Sequence, residues 1–118
     1  MPSRNYRDLI VWQRAMKFVF SVYESTKRFP RDEIFSLTSQ MRRGAVSIPS
    51  NIAEGQGRGS DAELVRFCRI AHGSLRELET QILIAEKLGY IAATKAKELL
   101  DDAAEVGRLL NGLIRSKG

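Results

Sequence analysis

From Ser60 onward, an apolar residue returns every three or four positions: Leu64, Phe67, Cys68, Ala71, Leu75, Leu78, Ile82 and Ala85. That interval is the turn of an α-helix with one face buried, and a strand with its period of two cannot use it. The start is also written in the sequence. Ser60-Asp61-Ala62-Glu63 has the form of a capping box, in which the Ser60 hydroxyl accepts from the Glu63 amide and Glu63 reaches back. Gly89, just past Leu88, is the residue expected at a helix stop. A helix is therefore expected over about 61–88.

The same period recurs in three other segments. Over about 8–28, Leu9, Trp12, Ala15, Met16, Val19 and Tyr23 form one face, and Val11, Phe18 and Val22 form a second apolar strip beside it. Phe29-Pro30 closes this helix, because the residue before proline is pushed out of the helical region. Over about 31–56 the core strip reads Ile34, Leu37, Met41, Ala45, Ile48, Ile52, with Asp32 and Glu33 at the positive end of the dipole. Pro49 lies inside it, so a kink or short break is expected there. Over about 93–115 the strip is Ala96, Leu99, Ala103, Val106, Leu110, Leu113 and Ile114, without a defined N-cap. Short turns between such helices favour antiparallel neighbours, which makes the expected fold an all-α, up-and-down four-helix bundle. At 118 residues the chain is one domain, large enough to bury a core without disulfides or metals.

Several classes are excluded. No run approaches the roughly 18 apolar residues of a membrane span. The first residues lack the apolar stretch of a secretory signal, so a cytoplasmic location without membrane contact is expected. Cys68 is the single cysteine and cannot form an intramolecular disulfide. His72 is the single histidine, with no ligands at metal spacing around it; it reads as a surface residue, and Cys68 as a small core hydrophobe. Neither a metal nor a cofactor is expected. Gly55-Gln56-Gly57-Arg58-Gly59-Ser60 resembles a phosphate-cradling loop, but no strand precedes it and no Gly-Lys-Ser/Thr follows, so it reads as a turn. No nucleophile–base–orienter set is present, and the chain reads as non-enzymatic.

The charge is uneven. The net +5 resides wholly in residues 1–31, which hold seven Lys and Arg against Asp8 and Glu24. Arg7, Arg14, Lys17 and Arg28 fall opposite the main strip of the first helix, and Arg4 and Arg31 extend the charge at its ends. Such a face attracts polyanions, which makes RNA or DNA candidate partners. The competing reading is a solvated helix face on a protein–protein scaffold.

A second feature is polar. Gln40, Arg43, Ser47, Asn51 and Glu54 lie close to one line of the second helix, and Ser74, Glu77 and Gln81 form a similar line on the third. Neither line belongs to the core strips. Buried polar groups require partners, so the two lines are expected to satisfy each other as a hydrogen-bonded seam within or between subunits. An enzyme cleft built on Arg43, Glu54 and Glu77 is the weaker alternative, since it lacks a nucleophile, a metal ligand set or a cofactor loop. Val11 and Phe18 on the first helix, and Phe35, Val46 and Ala53 on the second, lie off the main strips and suggest contact with further subunits.

The stretch from Leu37 to Gly55, LTSQMRRGAVSIPSNIAEG, resembles the signature of the 23S rRNA intervening-sequence protein family, the S23-like four-helix bundle proteins. Asp8 to Gln13 (DLIVWQ) and Ile70 to Gln81 (IAHGSLRELETQ) carry the resemblance further. Gly44 stands where alanine is more usual in the family. The resemblance implies an up-and-down bundle assembled into a ring, usually a pentamer, and no catalytic residues. A similar fold serves as the accessory protein of diversity-generating retroelements, which binds nucleic acid and a reverse transcriptase. The implied partners are thus further copies of the chain, RNA or DNA, and a nucleic-acid-processing protein.

Overall fold

The computed structural model describes residues 5–118. Four helices carry the fold: α1 (Ile10–Thr26), α2 (Leu37–Gly57), α3 (Asp61–Lys87) and α4 (Ala93–Lys117). Two short 3-10 turns, Tyr6–Asp8 and Arg31–Glu33, precede α1 and α2, and no strand occurs among the described residues. Each helix packs on its neighbours around a square, α1 on α2 and α4, and α3 on α2 and α4. Gly55 lies against Leu64 and Phe67, and Gly44 against Gln81, so α2 and α3 run antiparallel. The result is an elongated bundle of 48 × 24 × 19 Å. No helix is long and apolar enough to cross a membrane among the described residues.

α3 follows the sequence closely. Its whole predicted strip is buried, from Leu64 to Ala85. Ser60 Oγ accepts from the Glu63 amide at 3.2 Å. The Glu63 carboxylate, however, turns outward to Arg66 at 3.1 Å instead of reaching back. At the far end Gly89 takes φ +80°, its amide donates to Glu86 O and the Tyr90 amide donates to Ala85 O. These paired bonds form a Schellman stop, which glycine adopts without a Cβ penalty. α4 begins after Ala92 without a side-chain cap, and its strip is buried from Ala96 to Leu110, with Leu113 and Ile114 half-buried.

Three expectations are corrected. In α1 both apolar strips contribute to the core. Val11, Ala15, Phe18, Val19 and Val22 are buried, whereas Leu9, Trp12 and Met16 are half-buried and Tyr23 is exposed. The adjacent strips differ little in direction, and the positions of α2 and α4 decide which faces inward. Val11 and Phe18 therefore pack within their own subunit and offer nothing to another. The second helix starts at Leu37 rather than near Arg31, and Ile34 is 54% exposed. The acidic residue there serves a loop: Glu33 accepts from Ser36 Oγ at 2.6 Å and from Tyr90 Oη at 2.8 Å. Finally, no break occurs at Pro49, which is buried inside a continuous α2. Pro49 removes one backbone bond, but Ala45, Ile48 and Ile52 around it are fully buried. Their packing holds the helix through a residue that would otherwise cost about 3 kcal/mol.

Candidate nucleic-acid interface and polar groove

The basic residues of the N-terminal third reach the surface, but they do not form an unbroken cationic face. Arg7, Arg14, Lys17, Arg28 and Arg31 are exposed, while Arg4 lies outside the described residues. Arg7 Nε donates to Tyr6 Oη at 3.5 Å and its guanidinium sits 5.5 Å from the Tyr6 ring centre; that hydrogen bond raises its pKa further. Arg14 pairs with Glu105 of α4 at 3.7 Å. Arg14 and Lys17 border a shallow cleft whose other wall carries Asp102 and Glu105. Glu105 also pairs with Arg108. The acids of α4 thus interrupt the basic strip at its centre. Their position depends on how α1 and α4 are aligned, which sequence spacing does not encode. Lys17, Arg28 and Arg31 make no ion pair among the described residues, and the same holds for Arg69 and Arg115, cations outside the predicted strip.

The polar lines on α2 and α3 meet along a surface groove of about 440 Å³. Gln40, Arg43 and Ser47 border it from α2, and Ser74, Glu77 and Gln81 from α3. The predicted mutual bonding is absent within one chain, among the described residues. Ser47 Oγ donates to Gly44 O at 2.9 Å, and Asn51 Nδ2 donates to Ser47 O at 2.8 Å, so both bond along their own helix. Glu54 pairs with Arg58 at 2.9 Å, one turn on. Gln40, Arg43 and Glu77 are exposed, so the charges expected in a buried seam stand in water in the single subunit. Gln81 differs: it is 7% exposed, and its Oε1 has no hydrogen-bond partner. An unpaired buried acceptor costs roughly 1–3 kcal/mol.

Among the described residues no cluster of three or more His, Cys, Asp or Glu could hold a metal. Cys68 is fully buried, and burial pushes its thiol up to about 11, so the nucleophilic thiolate is scarce at neutral pH. His72 is not the surface residue the sequence suggested. It is half-buried, its Nε2 is sealed without a partner, and that nitrogen faces Gly107 of α4. The glycine-containing segment before α3 is a turn only from Arg58: Gly55, Gln56 and Gly57 belong to the last turn of α2, and Gly59 takes φ +83°.

One contact that spacing could not suggest ties α1 to α2. Arg42 Nε donates to Thr26 Oγ1 at 2.8 Å, and the guanidinium lies 4.7 Å from the Tyr23 ring centre. It holds the α1 C-terminus, with Arg28 nearby in sequence, against the first turns of α2.

The fold resembles that of a solved structure. A crystal structure of a protein of unknown function from the S23 ribosomal protein family of Bacteroides thetaiotaomicron VPI-5482 superposes with a TM-score of 0.82. The alignment covers 90% of this chain and 96% of that one, at 22% identity, and so speaks to the fold alone. No curated protein matches the sequence. Residues 7–112 match the family described as 23S rRNA-intervening sequence protein. That span takes in all three quoted motifs and the polar groove, and the chain therefore belongs to the 23S rRNA-intervening sequence protein family.

Proposed function

We propose that this protein is a non-enzymatic, cytoplasmic, homo-oligomeric helical bundle that associates with nucleic acid through its N-terminal cations. The observation that carries the reading is charge placement: the net +5 resides in residues 1–31, and Lys17, Arg28 and Arg31 are exposed there without an acidic partner among the described residues. Repetition of this surface around a ring, five subunits by family resemblance, turns weak single-site attraction into avid binding. The family's name makes structured RNA the first ligand to test. Contacts run to phosphates through these cations.

A protein–protein scaffold is the second reading. The Arg14–Glu105 pair favours it, because that pair neutralises the centre of the basic strip. Native mass spectrometry combined with RNA titration separates the readings. The first expects an oligomer that binds RNA with strong salt dependence; an oligomer indifferent to RNA and DNA at low salt supports the scaffold. A stable monomer at micromolar concentration contradicts both the ring and the avidity argument.

A further inference from the structure

We propose that the face bordering the groove between α2 and α3 is an interface between copies of this chain, which sets Glu77 of one copy against Arg43 of the next. The proposal rests on the homo-oligomeric reading above and assigns the surface that carries it. Three observations converge on one face.

The first is polarity. Ser47, Ser74 and Gln81 line the groove, yet no side-chain bond joins α2 to α3 there among the described residues, and Ser47 Oγ donates to Gly44 O of its own helix. The second is charge. Arg43 of α2 and Glu77 of α3 border the same groove, are both exposed, and make no ion pair among the described residues. Opposite charges on the two edges suit a ring: the α2 edge of one copy meets the α3 edge of the next, and its own α3 edge meets the copy before. The third is the rim. Phe35 is 94% exposed, and Ile84 and Leu88 on the adjoining end of α3 are 45% and 54% exposed. Ile70, at the other end of the α3 line, is 43% exposed. A polar centre between apolar margins suits a protein surface better than a phosphate backbone, and the balanced charge of Arg43 and Glu77 gives a polyanion no net attraction there.

The test is charge reversal with rescue, read by native mass spectrometry at micromolar concentration, with circular dichroism as the check on folding. Arg43→Glu and Glu77→Arg change exposed positions and are expected to fold as helical subunits that assemble at least tenfold more weakly than the parent. Each puts like charges on both edges of the face. The double variant Arg43→Glu/Glu77→Arg should assemble again, because opposite charges then meet between copies with their signs exchanged. A monomeric parent overturns the homo-oligomeric reading and this proposal with it. A parent that assembles while both single variants assemble equally well, or whose double variant fails to recover, overturns the proposed surface and leaves the oligomer standing.

Discussion

The Tyr90 hydroxyl donates to Glu33 Oε2 at 2.8 Å, joining the turn before α2 to the turn after α3 across 57 positions of sequence. The Ser36 hydroxyl, then Tyr90 and the Leu37 amide, hold the Glu33 carboxyl below its ordinary range, and Glu33 raises the Tyr90 phenol. The lowered carboxyl contributes stability that is present above the ordinary carboxylate pKa and lost as pH falls through the folded value. The raised phenol contributes stability that is present below the ordinary phenol pKa and lost as pH rises through its folded value. Urea unfolding followed against pH should show Glu33→Gln flattening the acid limb and Tyr90→Phe flattening the alkaline limb. Unchanged limbs in both variants would remove the network from the account.

Two glycines of α2 should respond to alanine in opposite directions. A Cβ at Gly55 would stand 2.7 Å from Phe67 Cβ and 3.3 Å from the Leu64 backbone, so α2 and α3 would have to separate. Gly55→Ala should cost about 1–3 kcal/mol despite the better helix propensity. At Gly44 the nearest atom is Gln81 Oε1 at 3.9 Å, an ordinary contact. Gly44→Ala should stabilise by up to about 1 kcal/mol, measured by chemical denaturation.

Arg42 clamps the α1 C-terminus through Thr26 Oγ1, which itself donates to Val22 O at 2.9 Å. Arg42→Ala should destabilise by about 1–2 kcal/mol, the scale of a hydrogen bond to a charged group. Arg42→Lys should recover little, because an ammonium cannot reproduce the planar stacking over Tyr23. Equal melting temperatures for parent and Arg42→Ala would contradict the clamp.

What the sequence made legible follows from how local each cause is. α3 could be read from cap to stop because one unbroken strip, Ser60 and Gly89 all lie on the segment itself. α1 has two neighbouring strips, and only the placement of other helices selects Val11 and Phe18 over Trp12 and Tyr23. Ile34 fits the period of α2 yet lies outside it, because Glu33 is held by Tyr90 from a distant turn. The site divides in the same way. Arg14 and Lys17 were recognisable as cations, but Asp102 and Glu105 beside them were not, since no local signal aligns α1 with α4. The polar lines were recognisable as lines; that only Gln81 would be buried depends on how closely α2 approaches α3.

Nucleic-acid association is the central claim, and fluorescence anisotropy with labelled RNA and DNA at two salt concentrations tests it most directly. The comparison is between the parent and a Lys17→Glu/Arg28→Glu variant that still assembles, since neither residue has an acidic partner among the described residues. The parent should bind both nucleic acids with little sequence preference, and affinity should fall with salt at a log–log slope of about −0.9 per phosphate contact on duplex DNA. The variant should bind more weakly and with a shallower slope. No binding by the parent at low salt, or binding by the variant equal to the parent's, would contradict the claim.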